Sequence, residues 1–341
     1  MIPSGKVPPE LLSEVLGRAS ADPSVVLGPG IGLDAAIIDS GGDELLVVAA
    51  DPVTFVASQP ARYALRVNAN DVAVMGARPR WFLATVLLPE RTGEDQVERL
   101  FAELTEACRE LDVALIGGHS EVTDAVTRPV IAGTMIGTVP RGAELSAAAA
   151  KPGDELWLAG AIAVEGTAIL CREARDQLLA AGVSAELIAA GARLLDEPGI
   201  SIAEPALAIA RARGISAMHD PTEGGISGAL YEFAEAAGCS ITVDVDAIPV
   251  LEPTRIVCAA LGLEPLGLLA SGALLIAARP DGNSGLSAAL QDSGFELTRL
   301  GDFEPGDGVR ARTDSGETAL QRFARDELAR FFESLPAAPD L

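Results

Sequence analysis

Apolar positions along this chain repeat with two periods. In the 93–111 segment, Val97, Leu100, Phe101, Leu104, Cys108 and Leu111 recur at helical spacing and form one face. The same period predicts helices over 8–16 and 62–76 and, further on, over 164–181, 185–195, 204–213, 222–237, 254–261, 286–293 and 320–334. Short apolar runs predict strands instead. In the first half these are 35–38 and 45–50, which flank the turn Ser40-Gly41-Gly42-Asp43 as a hairpin, then 81–88, 113–116 and 129–139. In the second half they are 155–159, 216–218, 240–245, 273–278 and 297–303.

In the first half, strands follow one another without intervening helices, which excludes a plain doubly wound sheet and predicts a mixed α/β arrangement. An alanine-rich stretch closing on Lys151-Pro152-Gly153-Asp154 marks a boundary, so two domains are expected, 1–145 and 152–341. The length of 341 residues fits that number. The most apolar stretch, 256–278, is broken by Gly262, Glu264-Pro265 and Gly267, and reads as helix, turn and strand rather than a membrane span.

Composition narrows the partners. With 25 basic and 49 acidic residues the net charge is −24, which excludes nucleic acid and anionic membranes as main partners. Aromatic residues are 4% of the chain, so the core must be aliphatic. Cys108, Cys171, Cys239 and Cys258 form no C-x-x-C pair and read as buried thiols. The N-terminal segment has no apolar leader pattern, so a cytoplasmic location is expected.

Candidate chemistry begins with the acids. Asp34 follows the glycine-rich segment Gly28-Pro29-Gly30-Ile31-Gly32, Asp51 follows the apolar run 45–50, and Asp71 lies among Val67, Val72 and Met75. Each sits in an apolar setting where an unpaired charge is costly, and a hard cation such as Mg²⁺ would relieve the cost. Asn68, three residues before Asp71, shares its helix face. Gly117-Gly118-His119-Ser120-Glu121 follows a predicted strand, an end at which ligands gather in open α/β sheets. In His219-Asp220-Pro221-Thr222-Glu223-Gly224-Gly225, Asp220 reads as a helix N-cap, Pro221 as its first residue and Glu223 as the third. That leaves His219 and the paired glycines unexplained. Glycines in a first turn leave room for a phosphate.

Taken in order, these motifs resemble the PurM-like, AIR synthase-related ATP-binding superfamily, and His219-Asp220-Pro221-Thr222 with Gly224-Gly225 is most like its hydrogenase-maturation members, HypE. The resemblance implies a two-domain fold, with an N-terminal mixed sheet that dimerises and a C-terminal α/β sandwich. It implies ATP with Mg²⁺ between the domains: Asp34, Asp51 and Asp71 as metal ligands, Asn68 supporting them, Gly28, Gly30 and Gly32 in a flap over the triphosphate, and Gly117 and Gly118 along the nucleotide. Gly224 and Gly225 would join the cofactor site, with Asp220 and His119 as the catalytic pair. The implied activity is ATP-dependent activation of a carbonyl, amide or phosphate-accepting oxygen, on a small-molecule or protein-bound substrate and with a maturation protein as partner. A non-catalytic nucleotide-binding module and a thiamine-monophosphate kinase-like phosphotransferase are the alternatives. Four features depart from the family pattern: Leu33-Asp34 carries one acid where relatives often have two, His119 and Glu121 stand in place of an acid and Thr, Ser271-Gly272 stands in place of Glu-Gly, and no cysteine follows Cys258, so chemistry on a cysteine of the chain's own tail is not expected.

Overall fold

Every apolar run predicted as a strand becomes one, and the strands gather into two seven-stranded mixed sheets. The computed structural model describes residues 5–16, 22–56, 58–291, 293–313 and 316–335. The tail on which the cysteine argument rests therefore lies largely outside the described residues, as does residue 292 of the helix predicted over 286–293.

The first half runs α1 (Pro9–Leu16), β1 (Val25–Leu27), β2 (Ala36–Ile38), β3 (Glu44–Ala49), β4 (Pro52–Val53), α2 (Pro60–Val74), β5 (Arg78–Pro89), α3 (Glu94–Glu110), β6 (Ala114–Thr123) and β7 (Val130–Pro140). Its sheet has the order β1-β2-β3-β7-β5-β6, with β4 paired to β7; only β5 and β6 run parallel. One face buries Leu45, Val47, Phe82, Val86, Ile131 and Met135 beneath α2 and α3. The alternate residues Leu46, Val48, Leu83, Leu87, Ala132 and Ile136 are only half-buried on the other face.

The second half runs β8 (Glu155–Ala159), α4 (Val164–Glu173), α5 (Arg175–Ala180), α6 (Ala185–Arg193), α7 (Ala203–Ala210), β9 (Ile215–His219), α8 (Gly225–Ala237), β10 (Ser240–Asp244), α9 (Glu252–Leu261), β11 (Leu274–Ala278), α10 (Asn283–Leu290), β12 (Leu297–Glu304), β13 (Val309–Thr313), β14 (Gly316–Ala319) and α11 (Glu327–Ser334). Its sheet order is β14-β13-β10-β12-β8-β11-β9. β11 is buried on both faces, which is why it reads as an unbroken apolar run.

Two local readings are corrected. The helix predicted over 320–334 begins only at Glu327, where Asp326 caps it by accepting from the Leu328 N–H at 2.7 Å. The preceding carbonyls are taken by α8 instead, Leu320 O by the Tyr231 hydroxyl at 2.7 Å and Gln321 O by Ser227. Gly117 and Gly118 do not end their strand; they lie in the middle of β6. A Cβ on Gly118 would stand 1.9 Å from Ala84 O, so that glycine is required by the approach of β5.

The halves are joined through α2, which packs its other side on α7. Asn70, fully buried on α2, donates from Nδ2 to Ile200 O at 2.9 Å and accepts from the Ile202 N–H at 2.9 Å. Asn70→Ala leaves a buried donor and acceptor unpaired in the other half. It should cost about 2–5 kcal/mol in chemical denaturation, and a loss under about 1 kcal/mol would show that the clasp is unimportant.

Candidate active site

The seam between the halves holds a cavity of about 370 Å³. Asp34 enters it from the segment joining β1 and β2, Asp51 from the β3–β4 junction, Asp71 from within α2, and Asp220 from the end of β9. Ligand oxygens of Asp34, Asp71 and Asp220 all lie within 4.8 Å of one another. Asp34 Oδ2 and both oxygens of Asp220 are buried without a hydrogen-bond partner. Buried carboxylate oxygens left in that state fit a hard divalent cation, whose ligands are carboxylates and phosphates.

Burial, followed by the charges of Asp51, Asp220 and Asp34, raises the Asp71 carboxyl well above the ordinary range. Burial, then Asp34, pushes Asp220 up to about 8. Without a cation the site therefore holds protons on acids that would otherwise be ionised.

Asp220 is not a helix cap. α8 starts at Gly225 with Gly224 as its cap residue, and Asp220 precedes that start by a loop. A capping role thus no longer competes with the metal-ligand reading of Asp220. The paired glycines are explained by packing. The Gly224 N–H donates to Asp326 Oδ2 at 2.7 Å, and a Cβ on Gly225 would meet Leu266 O at 2.5 Å. Gly30 and Gly32 line the cavity, whereas Gly28 is not among its lining residues. Gly32 has φ 71°, and a Cβ there would come within 2.2 Å of Glu232 O, so the glycine-rich segment is pressed against α8.

Asn68 acts through Asp51. Its Oδ1 accepts from the Asp51 N–H at 2.9 Å, and its Nδ2 donates to Asp51 O at 3.1 Å. His119, Gly117 and Gly118 stand apart, on the exposed edge strand β6, and none of them lines the cavity in this chain. His119 Nε2 faces Glu121 Oε2 at 3.2 Å.

His219 is the buried member of the motif. Its Nδ1 lies 2.7 Å from Asp34 Oδ1 and its Nε2 3.5 Å from Glu232 Oε2. Burial alone would lower its pKa, but Asp34 and Glu232 outweigh burial and hold it at about 10, so the ring is a cation that orients Asp34. Sequence reasoning missed Glu232 and Lys6. Lys6 Nζ lies 3.0 Å from Glu232 Oε1 on the same cavity wall. The pair spans 226 residues of chain, so local spacing carries no signal of it.

Two family models divide the chain between them: AIR synthase related protein, N-terminal domain, over residues 32–139, and the C-terminal domain of the same family over 151–314. A Methanocaldococcus jannaschii protein, provisionally described as a hydrogenase expression/formation protein, is 31% identical over 287 residues, 81% of each chain. The chain belongs to the AIR synthase related family. Within that family, carbamoyl dehydratase HypE of Escherichia coli K12 is 29% identical over 287 residues, 82% of this chain and 81% of that protein. The crystal structure of E. coli HypE, a hydrogenase maturation protein, superposes with a TM-score of 0.74 at 25% identity, covering 94% of this chain and 99% of that one. The two-domain PurM-like fold implied by the motifs is thereby shown.

The raised carboxyls give the site a pH signature. Asp71 and Asp220 keep protons in the folded state that the unfolded chain releases near pH 4, so their contribution to stability falls as pH rises toward about 8. A bound cation removes that loss. In thermal melts, Mg²⁺ should stabilise the protein more at pH 8 than at pH 5, and Asp220→Asn should raise the metal-free melting temperature at pH 8 while abolishing most of the Mg²⁺ increment. An undiminished increment in Asp220→Asn would remove Asp220 from the ligand set.

Proposed function

We propose that this chain is a Mg-ATP-dependent enzyme of the HypE type, activating a carbonyl, amide or phosphate-accepting oxygen of a substrate delivered to it. The observation that carries the reading is the carboxylate trio Asp34, Asp71 and Asp220, drawn from both halves, whose ligand oxygens converge within 4.8 Å and of which Asp34 Oδ2 and both Asp220 oxygens have no hydrogen-bond partner. The motif resemblance supports ATP as the ligand, and the HypE relatives support the reaction type. We assign the nucleotide unit to residues 1–145 and its companion to 152–341.

In this reading Asp34, Asp71 and Asp220 hold magnesium, Asp51 completes the acidic wall, and Asn68 fixes Asp51 by its backbone. Bound magnesium would neutralise the polyphosphate and stabilise charge on the phosphoryl group in flight. His219 keeps Asp34 turned to the metal. The activated group must come from outside the described residues. Cys108, Cys171, Cys239 and Cys258 are all buried and none lines the cavity. Burial pushes the Cys171 and Cys258 thiols up to about 12, so neither supplies a thiolate. A small molecule or a group carried by a maturation partner fits.

We also propose a homodimer through the first sheet. The half-buried apolar face, with Leu46, Val48, Leu83, Leu87, Ala132 and Ile136, continues into the edge strand β6, where Leu115, Ile116 and Val122 are 40%, 51% and 54% exposed. A second copy pairing at this edge covers both and buries His119, which is why that residue has no cavity in one protomer. No helix among the described residues is long and apolar enough to cross a membrane.

Two measurements test these readings. Titration calorimetry should show ATP binding that needs Mg²⁺ and weakens at least about tenfold, or about 1.4 kcal/mol, in Asp71→Ala. No binding to the wild type would end the ATP reading, and ATP turnover absent across amide, carbamoyl and phosphate-accepting substrates would favour a binding module. Sedimentation should give a dimer for the wild type and a monomer for Ile116→Asp with an unchanged circular dichroism spectrum; a monomeric wild type would refute the interface.

A further inference from the structure

Besides the trio, the Tyr63 hydroxyl, Glu165 Oε2 and the Ser271 hydroxyl are buried without a hydrogen-bond partner. Tyr63 comes from α2 in the first half, Glu165 from the first turn of α4, and Ser271 from the segment leading into β11. Glu165 links the other two. The Ser271 hydroxyl holds the Glu165 pKa down, although its Oγ completes no hydrogen bond. The Tyr63 phenol is raised by burial and next by the Glu165 charge. Tyr63 and Ser271 are fully buried, and Glu165 alone of the three keeps an exposed edge, of 5%. The backbone ties this group to the carboxylate cavity. The Ala270 N–H donates to Thr222 O at 3.3 Å, two residues past Asp220, and the Gly166 N–H donates to Leu269 O at 3.0 Å. Residues 269–271 thus bridge α4 and the loop that follows Asp220. At 271 this chain has Ser in place of Glu, and Glu165 brings a carboxylate to the same spot from the facing helix.

We infer that Glu165, with Ser271 and Tyr63, forms the acceptor subsite and takes an uncharged group that both donates and accepts hydrogen bonds, of the amide class. The inference rests on the Mg-ATP reading of the carboxylate cavity and narrows the acceptor that reading leaves open. Charge decides the class. The charges that bear on Glu165 are those of Asp326 and Asp51, both negative, so a phosphorylated or carboxylate acceptor is repelled. Arg172, which acts on Tyr63, is committed to the Ala192 carbonyl at 3.0 Å and to Asp196 at 3.8 Å. Hydrogen-bonding capacity decides the shape. Burial, with Asp326 and Asp51, pushes Glu165 up to about 7, so near neutral pH the carboxyl also occurs with its proton. A protonated carboxyl offers a donor and acceptors, and the Ser271 and Tyr63 hydroxyls each offer both. A planar amide matches them, since its carbonyl accepts and its N–H groups donate. Polar atoms left unpaired in the interior cost stability, and such a ligand pairs them.

Small probes test the subsite directly. Acetamide and methyl phosphate are of similar size and differ in charge. With the full chain, Mg²⁺ and a non-hydrolysable ATP analogue, saturation-transfer NMR should show acetamide bound, and methyl phosphate bound at least roughly tenfold more weakly. Glu165→Ala should weaken acetamide roughly tenfold, whereas Glu165→Gln, which keeps a donor and an acceptor, should stay within about threefold of the wild type. Acetamide that fails to bind, that binds no better than methyl phosphate, or that binds Glu165→Ala unchanged would overturn the inference. Where Glu165→Ala fails to fold, Ser271→Ala takes its place, with an expected loss of about threefold or more, and no loss there overturns the inference equally. Calorimetry with Mg-ATP on the same proteins keeps the two readings apart. Intact nucleotide binding beside a failed acetamide test leaves the Mg-ATP reading standing, and a wild type that binds no Mg-ATP takes down both.

Discussion

Mutual repulsion of carboxylates brought together in a buried seam is the constraint on which the rest of this molecule depends. Ligand oxygens of Asp34, Asp71 and Asp220 come within 4.8 Å of one another at buried positions. Left alone, such a cluster keeps itself neutral by holding protons, and Asp71 and Asp220 show the upward shift that this requires. A fold gains nothing in stability from that arrangement; it costs stability at neutral pH. The expense is distributed over three separate chain segments and both halves, so it is a property of the assembled protein and not of any one element. A cation resolves it, and an anion that brings a cation resolves it equally well.

The rest of the seam makes sense as scaffolding for that cluster. Asn68 spends its whole amide on the Asp51 backbone and the Ala64 carbonyl. Two residues along α2, Asn70 spends its amide on Ile200 and Ile202 of the other half. Asp71 follows directly. One helix therefore clamps the first-half acid loop, the second half and its own ligand within a single turn. His219 does the complementary task from β9, with its ring against Phe233 at 5.7 Å and its Nδ1 on Asp34.

Much of this was legible in the sequence because apolar runs and periods are local. All ten predicted strands are present, and the three acids singled out by their apolar neighbours line one cavity together with Asp220. What misled was also local chemistry. Asp-Pro-x-Glu ahead of an apolar run is a sound capping signal, yet the Gly224-Gly225 pair lets the chain turn once more before α8 begins, and Asp220 is left free. Gly117-Gly118 reads as a strand end until the close approach of Ala84 is known. β13 and β14 were missed because a short, charged edge hairpin has no apolar run to announce it. Lys6 and Glu232 were invisible for a different reason. Each is an ordinary charged residue by its neighbours in sequence, Lys6 ahead of α1 and Glu232 within α8, and only the fold brings them together.

The two sides of the seam differ in kind, and that difference bears on how the site works. Toward α2 and α7 the halves share one apolar core, with Ile202, Ala206 and Ile209 packed among residues of the first half, so no hinge opens there without exposing it. Gly32 against Glu232 is as tight, at a distance that admits no side chain. The carboxylate trio is therefore preorganised and does not wait on domain closure. The N-terminal segment is held otherwise, by the ion pair of Lys6 with Glu232 and polar bonds to Thr222 and Glu223. Such contacts are individually weak. One side of the seam is thus closed by apolar packing and the other by exposed charge.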